Sequence, residues 1–145
     1  MRAMRILKIE PEKAPVEAEI TGTLDSMQEI VGGTIQAIYP FEDATALLCN
    51  DEGKILGLPL NRALFLPGES QPYDIIAGTF FICGAPENAE RFTSLTEEQL
   101  QRYKQIFEIP QLFLPVGGKI LVIPLGGGDG RGKQQSQSIG KAPGF

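Results

Sequence analysis

Six polar side chains stand where strongly apolar stretches begin or end. Asn50 follows TALLC, Asn61 and Arg62 follow LGLPL, Tyr73 and Asp74 precede IIAG, and Thr79 precedes FFIC. In a small sheet such positions line a rim, where amide, guanidinium, phenol, carboxylate and hydroxyl groups can read a ligand or a partner by hydrogen bonds. Structural alternatives stand beside this: Asn50 capping its own turn, Arg62 paired with Asp74, Tyr73 partly buried. These six are the candidate ligand-binding residues.

Residues for covalent chemistry are scarce. With no histidine in the chain, neither a Ser/His nor a Cys/His pair can be assembled, and the usual near-neutral base is missing. Lysine or carboxylate bases remain open. Glu42-Asp43 and Asp51-Glu52 are adjacent acidic pairs in predicted turns, but nothing in their spacing specifies a metal site. Cys49 and Cys83 fall inside predicted strands, where a free cysteine behaves as a small buried hydrophobe. No catalytic residue, metal ligand or cofactor is therefore assigned.

The sharpest motif match is Gly127-Gly128-Asp129-Gly130-Arg131-Gly132-Lys133, with the spacing of a phosphate-cradling loop after a predicted strand. That loop needs Ser or Thr after its lysine to hold magnesium, and Gln134 stands there. It also needs a following helix, and too little chain remains. The segment reads as tail.

Charge and composition narrow the partners. The net charge of -5 opposes broad binding to nucleic acid, which needs a basic face, and is too mild for a DNA mimic. No apolar run approaches the ~20 residues that span a bilayer. The opening MRAMRILKIEPEK has charges where a secretory segment is apolar, so cytoplasmic residence is expected. At 145 residues, 42% hydrophobic and 21% charged, the chain is about one domain with an ordinary core.

The elements that must position these residues follow from patterning. Met4–Ile9 and Val16–Thr21 alternate as strands, separated by a loop with Pro11 and Pro15. Leu24, Met27 and Val31 share a helical face, with Thr23 as N-cap and Gly32-Gly33 as the stop. Ile35–Tyr39 alternates as a strand, and Thr45–Cys49 is apolar enough for a central strand covered on both faces. Asn50-Asp51-Glu52-Gly53 suits a hairpin turn, which makes Lys54–Leu58 a return strand. Arg62–Leu66 fits a helical turn or a short strand, and Pro67–Pro72 a loop. Tyr73–Gly84 is read as one interior strand centred on Gly78–Cys83, with Gly78 a bulge or close approach. Ser94-Leu95-Thr96-Glu97 fits a capping box opening a helix that buries Leu100, Tyr103 and Phe107 before Pro110. Lys119–Leu125 reads as a further strand, and the chain from Gly126 as a flexible tail.

Several of these motifs recur in one order: Ile6-Leu7-Lys8-Ile9-Glu10-Pro11 with Lys13, Gln28 to Val31-Gly32-Gly33, Tyr39-Pro40, Asn50-Asp51-Glu52-Gly53-Lys54, Leu58-Pro59-Leu60-Asn61-Arg62 and Ile76-Ala77-Gly78-Thr79-Phe80. The order resembles a domain-of-unknown-function family, DUF3846, carried by bacteriophages, plasmids and conjugative elements. The resemblance covers roughly residues 4–107 and leaves out the chain after Pro110. It supplies no catalytic residue. It implies an accessory protein of a mobile element, acting against host defences or aiding transfer.

The expected fold is a single α+β domain: a mixed, mostly antiparallel sheet with one short and one longer helix, over residues 1–110. A further strand segment (111–125) and a flexible C-terminal tail (126–145) follow. The expected function is a non-enzymatic binding protein that engages a host defence protein or sequesters a small signalling nucleotide. Edge strands open the way to a homo-oligomer. The alternatives are a small metal-dependent enzyme acting on a nucleotide or nucleic acid, and a structural or regulatory interaction protein.

Overall fold

The structure, a computed structural model, describes residues 3–125. The expected tail and its phosphate-loop motif lie outside the described residues.

Strands β1 (Ala3–Ile9), β2 (Val16–Thr21), β3 (Ile35–Ile38) and β4 (Thr45–Asn50) form a sheet with β7 (Phe80–Gly84), in the order β2-β1-β7-β4-β3. Its neighbours all pair antiparallel, in line with the mostly antiparallel α+β fold expected from the sequence. Central β4 and β7 are buried along their whole lengths, as the unbroken apolar runs require. Alternation along β4 sends Ala46 and Leu48 into one core and Leu47 and Cys49 into the other. Helix α1 (Leu24–Val31) covers the first face with Met27 and Val31. Helix α2 (Glu97–Ile106) and the ribbon β5 (Leu60–Leu64) with β6 (Asp74–Ala77) cover the second. A separate hairpin, β8 (Gln111–Val116) with β9 (Lys119–Pro124), completes the described chain.

Helix α1 forms where expected. The Thr23 hydroxyl accepts from Ser26 N–H at 3.2 Å, and Gly32 closes the helix at φ 79° with its N–H on the Gln28 carbonyl. Leu24 is exposed rather than sharing the buried face. Helix α2 starts one frame later than expected. SLTE and TEEQ both fit a capping box, and the chain uses the second: Thr96 accepts from Gln99 N–H at 3.1 Å while the Gln99 side chain accepts from Thr96 N–H at 2.9 Å. The first frame is taken by β1, because Ser94 Oγ accepts from Arg5 N–H and Leu95 N–H donates to the Arg5 carbonyl. Burying Leu95 in the α2-side core fixes this choice.

Three further expectations are corrected. Lys54–Leu58 is not a return strand, because β3 and β7 already occupy both edges of β4. It is a single helical turn: Leu56 N–H donates to the Glu52 carbonyl, and Gly57 (φ 74°) and Leu58 close it on the Lys54 and Gly53 carbonyls. Tyr73–Gly84 is two strands rather than one, broken at Gly78 (φ 84°), where an added Cβ would lie 2.7 Å from Leu58 Cδ1. Finally, Gln111–Val116 forms β8, which the sequence pattern did not reveal; Gly117-Gly118, both at positive φ, turn it into β9.

Candidate functional site

Asn61 and Arg62 open β5 and turn inward, both fully buried. Asn61 Nδ2 donates to the carbonyls of Ile9 and Gly78, each at 2.9 Å. All five guanidinium N–H directions of Arg62 are directed at acceptors. Nε and one terminal nitrogen reach the Phe107 carbonyl (3.2 and 2.9 Å), and that terminal nitrogen also reaches the Lys13 carbonyl (2.7 Å). The other terminal nitrogen takes Asn61 Oδ1 at 2.9 Å and the Asn61 carbonyl at 3.3 Å. Burial pulls the Arg62 pKa down to about 10, so the group stays charged at neutral pH. Its acceptors include the carbonyl that ends α2, where a cation is favoured. The pair ties β1, the β1–β2 loop, β5, Gly78 and α2 together, and its hydrogen-bonding groups face the protein itself.

The Arg62–Asp74 pair considered as a structural alternative does not form. Asp74 instead binds Lys54, Nζ to Oδ1 at 2.7 Å, and the same oxygen accepts from Ile75 N–H at 2.8 Å. Thus the turn after β4 is fastened to the start of β6. Gly53 makes this approach possible, since a Cβ there would sit 2.7 Å from the Ala77 carbonyl. Asn50 brackets the other side of the turn. Its Nδ2 donates to the Val31 carbonyl at the end of α1, and its Oδ1 accepts from Glu52 N–H, which is the capping job considered above.

Between these pieces lies an open cleft of about 240 Å³. Gln36 and Ile38 of edge strand β3, Asn50 of β4, Asp51, Glu52, Lys54 and Ile55 of the turn, and Asp74 and Ile76 of β6 line it. Three carboxylates therefore face one lysine already engaged with one of them. Ile55 is 85% exposed at the mouth, an unusual position for a bare isoleucine. Cys49 contributes to the wall; burial pushes its thiol up to about 11, and both cysteines are free. Among the described residues no group of three or more His, Cys, Asp or Glu side chains is arranged to hold a metal ion.

Of the six candidates, Asn50 and Asp74 are brought together in this cleft, whereas Asn61 and Arg62 form the buried bracket and do not line it. Tyr73, about half exposed, precedes Asp74, and its N–H donates to the Leu64 carbonyl. Burial first, and then the Asp74 charge, raises its phenol pKa. Thr79 sits in the bend between β6 and β7 and is not among the cleft-lining residues.

A second polar cluster escaped the sequence reading. Asp43 Oδ1 accepts from Thr45 Oγ1 at 3.0 Å and from the Tyr103 hydroxyl, while Oδ2 takes Arg102 and Gln99. Burial pushes the Asp43 carboxyl up, but the Tyr103 and Thr45 hydrogen bonds and the Arg102 charge outweigh it and hold the pKa below its ordinary value. Burial, followed by the Asp43 hydrogen bond, drives Tyr103 up to about 12. The sequence signal was Tyr103 itself, since a tyrosine on a helix's buried face needs a partner for its hydroxyl.

The model of a family described as a domain of unknown function (DUF3846) matches residues 4–108. No curated protein and no solved structure matches the chain.

Proposed function

The chain belongs to this domain-of-unknown-function family (DUF3846), and from that premise we propose that it is a non-enzymatic binding protein which captures an extended, basic and apolar segment of a host protein. The cleft is the site. The observation that carries this reading is the acidic cleft beside an open sheet edge. Asp51 N–H donates to the Thr34 carbonyl, so antiparallel alternation turns the main-chain groups of Ile35 and Ala37 away from β4. No strand pairs with that edge among the described residues.

An added strand would take main-chain hydrogen bonds from β3 and place alternate side chains over Ile38 and Ile55. Asp51, Glu52 and Asp74 favour lysine or arginine there. The dimensions also bear on the ligand. A cleft of about 240 Å³ lies below the ~300–1,000 Å³ of small-molecule sites, and suits one or two side chains better than a nucleotide. A phosphate would meet three carboxylates, and Arg62 has no direction free to receive it. The mobile-element setting implied by the family resemblance makes a host defence protein the expected partner.

Selection of displayed random peptides on the purified chain tests the reading. Enriched sequences should pair Lys or Arg with a large apolar residue, and Ile55→Asp or Asp74→Lys should abolish enrichment. Enrichment indifferent to both substitutions would refute the site. A melting-temperature rise with a signalling nucleotide, lost in the same variants, would replace the peptide by that ligand.

A further inference from the structure

Among the described residues Lys54 is the single cation lining the cleft, beside the carboxylates of Asp51, Glu52 and Asp74. Its ion pair is not what closes the turn that carries it. Main-chain hydrogen bonds do that, from Gly53 N–H to the Asn50 carbonyl, from Leu56 N–H to Glu52 and from Leu58 N–H to Gly53. The Lys54 side chain is 61% exposed, and a pair so open to water adds little stability. Asp74 is likewise set in place without the lysine. Its Oδ1 accepts from Ile75 N–H at 2.8 Å as well as from Lys54, and its Oδ2 takes no hydrogen bond from the described residues. Asp51 and Glu52 make no ion pair among the described residues. A loosely held ammonium therefore sits on the best-positioned carboxylate of an acidic cleft.

Resting on the reading of the cleft given above, we propose that Lys54 is a placeholder: its ammonium keeps the seat on Asp74 that an arginine of the captured strand takes, and swings into water when that strand binds. Main-chain pairing along Ile35 and Ala37 puts alternate side chains of the added strand on the same face as Gln36 and Ile38, which looks into the cleft. There Asp74 presents an open oxygen beside one that is only shared with Ile75 N–H once the lysine leaves. A guanidinium fork spans both with parallel hydrogen bonds, whereas an ammonium acts as a point charge. The exchange thus trades a weak, solvent-exposed pair for a bidentate one. It also selects the partner, since an apolar side chain arriving at that position leaves Lys54 seated and gains nothing from Asp74.

Fluorescence anisotropy of the full chain with two labelled, terminally blocked peptides tests this. Both peptides alternate threonine with isoleucine, and one carries a central arginine where the other carries methionine. Lys54→Met should tighten the arginine peptide roughly three- to tenfold, because the competing pair and the repulsion between two cations at one carboxylate are both removed. The methionine peptide should bind as before, and the gain should shrink in an Asp74→Asn background. Lys54→Gln replaces Lys54→Met if the latter departs from the wild-type far-ultraviolet spectrum. A folded Lys54 variant that binds the arginine peptide no tighter than wild type, while Asp74→Lys still abolishes binding, overturns the placeholder and leaves the cleft standing. So does a gain that the methionine peptide shares. Binding by neither wild type nor variant, or binding that Asp74→Lys leaves intact, refutes the cleft itself and the placeholder with it.

Discussion

Replacing Arg62 by methionine tests whether the guanidinium is a structural bracket. Methionine fills much of the volume but donates nothing. The Phe107 carbonyl and the Asn61 side-chain oxygen would lose buried donors, whereas the Lys13 carbonyl lies nearer the surface and can take water. Two unsatisfied buried acceptors at ~1–3 kcal/mol each, less the relief of no longer burying a charge, give a loss of about 2–5 kcal/mol. For a chain of this size each kcal/mol moves Tm by roughly 2–6 °C, so a fall of roughly 4–30 °C is expected. Arg62→Lys should recover part of it, since three donors cannot serve the same fork of acceptors. The assay is urea unfolding followed by circular dichroism, with Arg91→Met as the exposed control. Arg62→Met within 1 kcal/mol of wild type, with peptide or nucleotide binding lost, would refute the bracket and return Arg62 to a ligand site.

Two further outcomes follow from the caps and the titrating cluster. Thr96→Ala should cost ~1 kcal/mol while Glu97→Ala stays within about 0.5 kcal/mol; the reverse order in urea midpoints would restore the earlier capping frame. For Asp43, the folded pKa lies below the ordinary 3.8, so its contribution is present above that value and lost as pH falls through the folded pKa. The stability advantage of wild type over Asp43→Asn should therefore shrink in acid. Tyr103 has the opposite sign: with its pKa raised from 10 to about 12, its contribution is complete below pH 10 and fades toward 12. Denaturant midpoints across both ranges check the two directions, and an advantage that grows in acid would contradict the first.

What the sequence made legible was mostly periodic or capped. The unbroken run at Thr45–Cys49 indicated a strand covered on both faces, and Thr23 with Gly32 bounded α1 to the residue. The failures have physical reasons. Asn50–Gly53 has hairpin chemistry, but whether the next segment pairs back depends on β7, which arrives some thirty residues later to occupy that edge of β4. Both SLTE and TEEQ are valid capping frames, and only the pull of Leu95 into the core separates them. Leu112 to Val116 contains a proline and lacks clean alternation with polar residues, because its hairpin leaves apolar side chains on both faces. The polar candidates divided for a related reason. Asn61 and Arg62 lie in a short segment with few charges, and burial turned the most chemically capable pair into a bracket, leaving Asn50 and Asp74 at the cleft.

Hydrogen–deuterium exchange with an enriched peptide bound tests the central claim most directly. The account predicts slowed exchange at Ile35 and Ala37, whose main-chain groups would pair with the incoming strand, and over residues 51–55 at the cleft mouth. Protection confined to β8–β9, or none on β3, would contradict it.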